Sequence, residues 1–332
     1  LSWPHNEATW PGIFERIPDQ YARLVQLVAQ FEPVKLLVGS ETARQEAQRR
    51  LTGTANVELI EIPTNDSWIR DFGPVFLAWD VCHHQPTDTS APIAIDWGYN
   101  SWGGKYPPFD RDAAAGAAIA ARAGYRCVAP GVILEPGAID GNGQGTIITS
   151  TSCVLSSSRN PKLTRGDVER LLNRYLGAQH VIWLAGESIA GDDTDGHVDQ
   201  VARFVGPSQV VAAYPHEVAD DHDSALVADY QTLCGSQNQA GQKLSVTRLI
   251  NPPPLHHEGH RLPASYCNFY FANGGVLVPT FNSPRSDAAA LETLSELFPN
   301  RRVVGFDCRE LVWGLGAIHC LTQQQPVASG ES

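Results

Sequence analysis

The sequence predicts one α/β domain spanning its 332 residues. Three observations predict it. Short runs of β-type residues recur from one end to the other, helical patterns fall between several of them, and no change of composition divides the chain. Hydrophobic residues at 42% against 18% charged supply enough apolar surface for a large core, which excludes a disordered chain.

In chain order, the apolar spacing of 21–30 predicts a helix, and β-type runs predict strands at 34–38 and 57–61 with an Ala-, Arg- and Gln-rich helix at 41–51 between them. Further strands are expected at 75–79, 93–97, 146–149, 181–184, 201–205, 210–213, 276–278 and 302–306. Alanine-rich 110–123 predicts a helix, as do 167–176 and 286–297, which open on residues suited to capping. The stretches 82–92 and 250–265 read as surface loops. Strand pairs followed by a helix recur loosely, without an exact sequence repeat.

Charge narrows the function. With 24 basic and 36 acidic side chains the net charge is −12, so the chain repels nucleic acid and attracts a small cation. No apolar run is long enough to span a bilayer, and Leu1-Ser-Trp-Pro-His5 lacks the basic-then-apolar shape of a secretion signal. Seven cysteines are an odd number and form no CxxC pair, which argues against a disulfide framework or a zinc ribbon. The expectation is a reduced, cytoplasmic protein with mostly buried thiols, one of them reactive.

Four segments concentrate chemistry. In Asn65-Asp-Ser-Trp68-Ile-Arg-Asp71-Phe-Gly-Pro74, read alone, a capped turn with a buried aromatic is the simpler account. The functional account is a carboxylate that pairs with a planar cation while the Trp68 indole covers its face. In Gly191-Asp-Asp-Thr-Asp-Gly-His197-Val-Asp199, a solvated acidic turn competes with a functional cluster, and His197 and Asp199 share a side if the segment is extended. The strand expected at 201–205 puts them at a strand's mouth. Metal ligation ranks lower, because the spacing matches no known zinc pattern. Cys320 follows Trp313-Gly-Leu-Gly-Ala-Ile-His and precedes a run of glutamines, which makes it the best candidate nucleophile. In Leu134-Glu135-Pro-Gly-Ala-Ile-Asp-Gly-Asn-Gly-Gln-Gly145 the glycines match no phosphate-binding pattern, so a β-hairpin with Glu135 at a strand end is expected.

Six pieces in one order resemble the agmatine deiminase family, within the guanidine-modifying group that includes bacterial-type peptidylarginine deiminases. They are Trp3-Pro-His-Asn-Glu-Ala-Thr-Trp-Pro11, the segment from Asn65 to Pro74, Asn160-Pro161, the segment from Gly191 to Asp199, Ala264-Ser-Tyr-Cys-Asn-Phe-Tyr270, and Ala317-Ile-His-Cys320-Leu-Thr-Gln-Gln-Gln-Pro326. The resemblance implies a five-bladed α/β propeller, the pentein fold, with ββαβ-like modules around a central polar channel. It implies Cys320 as nucleophile, His197 as general acid and base, and Asp71 and Asp199 as carboxylates gripping a guanidinium. Trp68 would lie along the substrate's carbon chain, Glu135 in the pocket wall, and Asp193 toward a distal amine. Two departures stand out: Glu135-Pro136-Gly137 where the family usually reads Glu-Gly-Gly, and Gly314-Leu315-Gly316 where members often carry three glycines.

The implied reaction is hydrolysis of agmatine to N-carbamoylputrescine and ammonia, a step of polyamine biosynthesis, without metal or organic cofactor. Two carboxylates hold the planar cation and keep its carbon electron-poor; the thiolate adds, and His197 moves the protons. The alternatives are deimination of peptidyl or free arginine, a propeller used only for binding, and, last, a metal-dependent hydrolase. Oligomeric state is left open.

Overall fold

A computed structural model describes residues 1–77 and 92–326. The expected loop at 82–92 lies outside the described residues except for Pro92, as does the end of the strand expected at 75–79.

One unit recurs. Two strands pair antiparallel, the chain crosses over through a helix, and a third strand pairs parallel with the second. In the first full unit Val75–Phe76 and Ile93–Ile95 form the antiparallel pair, and helix Asp110–Arg122 leads to parallel strand Arg126–Val128. The second uses Ile139–Gly141, Thr146–Ser150, helix Arg165–Leu176 and His180–Leu184. The third uses Ala202–Phe204, Gln209–Tyr214, helix Asp221–Gly235 and Ser245–Ile250. The fourth uses Tyr270–Ala272, Gly275–Thr280, helix Pro284–Leu297 and Arg302–Asp307. A fifth sheet pairs Val34–Val38 parallel with Val57–Glu61 across helix Glu41–Arg50, and Ser2 bridges to Leu37.

The middle strand of each full unit is largely buried, and the first strand Ala202–Phe204 is buried along its whole length. Ile147, Ile148, Val210, Val211, Val276 and Leu277 are all buried, whereas the outer strand Arg302–Asp307 alternates toward solvent. Each fully buried aliphatic side chain contributes roughly 1.5–3 kcal/mol of hydrophobic stabilisation. Capping fixes the crossovers: Thr164 and Asp167 form a reciprocal capping box, and Gly177 closes that helix in the left-handed region at φ 70°.

The strands Arg126–Val128, Ser245–Ile250 and Tyr270–Ala272 were not among those expected, and other expectations needed revision. The helix Asp221–Gly235 escaped the periodicity because its inward stripe is Asp223, Leu226, Asp229 and Leu233, two of which are carboxylates. The stretch at 250–265 is not wholly irregular, because His256–His257 and His260–Arg261 form a small hairpin across a turn at Glu258 (φ 47°) and Gly259 (φ 84°). No helix among the described residues is long and apolar enough to cross a membrane.

Candidate functional site

Each full unit enters its first strand just after a polar residue that belongs to one cluster. Asp71 precedes Val75–Phe76, Glu135 precedes Ile139–Gly141, His197 and Asp199 precede Ala202–Phe204, and Asn268 precedes Tyr270–Ala272. Cys320 arrives after the last strand. A cavity of about 980 Å³ reaches this cluster, and Trp68, Asp71, Asp193, Trp313 and Cys320 are in its wall.

Asp71 lies in the short helix Ile69–Phe72 and is buried. Its Oδ2 accepts from Trp102 Nε1 at 2.9 Å and its Oδ1 accepts from the Gly137 amide at 3.2 Å. Trp102 is delivered by a turn in which Ser101, Trp102, Gly103 and Gly104 all have positive φ. Such backbone costs about 1–3 kcal/mol per non-glycine residue and is held in place by its surroundings.

Gly137 must be glycine. A Cβ there would stand 2.5 Å from Asp71 Oδ1 and 2.7 Å from His197 Nδ1. The sequence departure at Pro136 is harmless to this contact: Pro136 opens the turn Pro136–Ala138, and the amide that reaches the site belongs to Gly137. Leu315 adopts φ 70°, so the second departure places a side chain on left-handed backbone in the cavity wall. Glycines 314 and 316 let Trp68 lie against the chain, and Trp68 stacks on Trp10 with centroids 5.4 Å apart.

His197 caps the turn Val198–Gln200, so the segment is not extended, and His197 and Asp199 come together with the cluster through that turn. The ring faces Asp71 Oδ1 at 3.5 Å through Nδ1 and Glu135 Oε2 at 4.0 Å through Nε2. Burial, and then the charges of Arg159 and Lys105, hold the imidazole well below its ordinary pKa, so it is neutral. Asp199 Oδ2 meets His319 Nδ1 at 2.7 Å and Cys320 Sγ at 3.6 Å. Asn268 Nδ2 donates to Cys320 Sγ at 3.2 Å. Burial, with Asp199 and Asp71 nearby, pushes the Cys320 thiol well above its usual value. Burial also raises Asp71, helped by Asp199, and raises Asp199 to about 7 against the pull of Arg203 and Arg70.

Unmet polarity marks the centre. Both ring nitrogens of His197 and Asp199 Oδ1 are buried without a hydrogen-bond partner among the described residues. A planar cation that donates several N–H groups would satisfy the acceptors among them.

Glu135 is fully buried and is gripped by Arg159 Nε, at 2.9 Å and 3.0 Å to its two oxygens. Arg159 continues to Asp195 Oδ2 at 2.6 Å, and Asp195 Oδ1 accepts from Lys105 Nζ at 2.6 Å. Glu135, Cys153 and His197 bring ligand-type atoms within 4.8 Å of one another, the sole such trio among the described residues. The Arg159 charge on Glu135 makes that trio a poor cation site. Cys153 is a second buried thiol beside His197 and Glu135, with Sγ 4.0 Å from Glu135 Oε2, but it is not in the cavity wall.

Asp193 sits in the cavity wall, where its carboxylate accepts from Tyr106 Oη and its carbonyl from Lys105 Nζ. The sequence reading missed Asn268, His319, Trp102 and Arg159. Asn268 and His319 lay inside segments already singled out, and Arg159 directly precedes Asn160-Pro161; Trp102 carried only the signal of a Trp-Gly-Gly turn.

Residues 1–326 match the family described as Porphyromonas-type peptidyl-arginine deiminase. A putative agmatine deiminase of Legionella pneumophila subsp. pneumophila (strain Philadelphia 1) is 34% identical, over 98% of this chain and 91% of its own. An agmatine deiminase of Ectopseudomonas mendocina (strain ymp) is 34% identical, over 99% of this chain and 93% of its own. Among solved structures, an Enterococcus faecalis agmatine deiminase superposes with TM-score 0.88 at 30% identity, covering 98% of this chain and 92% of that one. A substrate-bound C. jejuni agmatine deiminase carrying a cysteine-to-serine change gives TM-score 0.83 at 29% identity, over 97% and 91% of the two chains. The mixed α/β fold of small sheets matches these structures.

Proposed function

The chain belongs to the Porphyromonas-type peptidyl-arginine deiminase family, and on that premise we propose that it hydrolyses agmatine to N-carbamoylputrescine and ammonia. The observation that carries this reading is a thiol, Cys320, in a cavity wall beside two buried carboxylates, one of which has an oxygen with no partner. We further propose one 332-residue catalytic domain whose units are the blades of a five-bladed propeller around that cavity.

Asp71 and Asp199 take the guanidinium N–H groups and keep the substrate cationic. Two buried carboxylates repel each other, and the incoming charge relieves that repulsion. Cys320 gives its thiol proton to neutral His197, and the thiolate adds to the guanidinium carbon. The resulting imidazolium returns a proton to the departing nitrogen, which leaves as ammonia. Water then gives a proton to His197 and adds to the amidino-thioether carbon, and collapse breaks the C–S bond. His197 returns its proton to the sulfur, and the hydroxyl proton passes to solvent, which leaves the neutral urea-type product with the thiol and the neutral imidazole restored. Asn268, donating to Sγ, lowers the cost of the thiolate.

Asp193 and Tyr106 suit a distal amine. Lys105, the basic group a substrate carboxylate would seek, is already held by Asp195. Arginine remains the competing substrate because exposed Arg111 is also in the cavity wall.

Ammonia release from agmatine, arginine and a peptidyl-arginine, measured side by side, tests the reading. Agmatine should be turned over fastest, Cys320→Ser should lose at least about 10³-fold in kcat, and Cys153→Ala should stay within about threefold. Full activity in Cys320→Ser, or loss confined to Cys153→Ala, would move the nucleophile to the other sulfur.

A further inference from the structure

The geometry points to His319 as a positioning residue that acts through Asp199, orienting that carboxylate so that its free oxygen faces the guanidinium. This inference rests on the proposed function and adds a residue with no part in the proton transfers above.

His319 is a buried imidazole beside the nucleophile, and its Nδ1 lies 2.7 Å from Asp199 Oδ2. With a guanidinium bound, Asp199 is ionised and its Oδ2 only accepts, so Nδ1 carries the hydrogen and the neutral ring is held in one tautomer. The ring has no easy way to charge: burial, then Arg203, Arg70 and His197, keep it well below its ordinary pKa. What separates it from His197, which is shifted the same way, is geometry. His319 Nδ1 is committed to Asp199 Oδ2, whereas both ring nitrogens of His197 are without a partner among the described residues, so His319 serves as a fixed donor.

The backbone explains why the ring does not swing away. The His319 amide donates to Asn268 Oδ1 at 3.0 Å, and its carbonyl accepts from Arg70 Nε at 3.3 Å and from the Thr322 hydroxyl at 3.2 Å. Asn268 thus holds the amide of His319 with one end of its carboxamide and the sulfur of Cys320 with the other. With Oδ2 committed to His319 and facing Sγ, Asp199 Oδ1 is left buried with no partner. Without the imidazole, Asp199 could turn Oδ1 toward Asn268 or the thiol, or take up a proton, and either loses the acceptor that grips the cation.

Binding of agmatine to Cys320→Ser protein, followed by calorimetry, separates these possibilities because no turnover intervenes. Adding His319→Ala should weaken binding about 10–100-fold, the worth of a hydrogen bond to a charged group. Adding His319→Asn, whose amide nitrogen reaches the place of Nδ1, should restore affinity to within about threefold of the parent. Adding His319→Gln, which reaches the place of Nε2 instead, should not. In an Asp199→Asn background the His319→Ala penalty should shrink below about threefold, because the partner through which it acts is gone.

Equal affinities for the Asn and Gln variants, or a full His319→Ala penalty in the Asp199→Asn background, would overturn the positioning role while leaving the enzyme reading standing. Failure of the Cys320→Ser parent to bind any guanidinium compound would instead remove the enzyme reading, and this inference with it.

Discussion

Gly137 has two neighbours that a single methyl group would displace, the carboxylate of Asp71 and the ring of His197. Gly137→Ala should therefore lower kcat about 100-fold, the cost of misplacing catalytic groups by an ångström, while circular dichroism and the melting midpoint change little. Asp199 shows the opposite trade. Its folded value of about 7 lies above the unfolded value near 3.8, so the folded chain holds the extra proton and stability from this group falls as pH rises between those values. Asp199→Asn should accordingly raise the melting midpoint by several degrees at pH about 8, with the gain fading toward pH about 4, as activity is lost. A thermal melt across that range checks both the sign and the window.

At the scale of elements, the proposed function depends on a repeated placement: the few residues before the first strand of each full unit carry the groups of one cluster. Carboxylates also serve architecture. Asp229, on the inward face of helix Asp221–Gly235, accepts the amide of Ala185 at 3.1 Å just past strand His180–Leu184. Asp229→Ala should cost about 1–3 kcal/mol by stranding that amide, and Asp229→Asn, which keeps an acceptor, should cost less; denaturant midpoints distinguish them. The same residue explains why the helix was illegible, since an aspartate at an inward position breaks the apolar rhythm that announces helices elsewhere.

For the whole molecule the excess of acidic groups, net −12, bears on the proposed capture of a cationic substrate. Raising salt from about 0.02 M to about 0.5 M shortens the screening length severalfold, so kcat/KM for agmatine should fall several-fold through KM, with kcat nearly constant. A salt-independent KM would mean that only the buried pair, and not the surface, attracts the substrate. The recurring ββαβ-like unit was visible in the sequence only as a loose echo, because its shortest strands, such as Ile139–Gly141 and Arg126–Val128, are three residues long and carry little pattern.

Asp71, Glu135, Asp193, His197, Asp199 and Cys320 each stand in a segment whose mixture of glycine and polar groups is unusual for strand packing, but it was the family resemblance, and not spacing, that suggested most of their roles. The fold sets His197 against Asp71 and Asp199 against Cys320, and leaves Glu135 on Arg159 outside the cavity wall. Residue types and local spacing are properties of the chain, so a sequence carries them. The partners Trp102 to Asp71, Arg159 to Glu135, and His319 to Asp199 are separated by 31, 24 and 120 positions. Which lone atom is left unsatisfied, and which groups are pushed away from their ordinary pKa, depend on burial and on charges brought in from distant units. Only the folded chain sets those, because desolvation and Coulomb interaction act through space and not along the backbone.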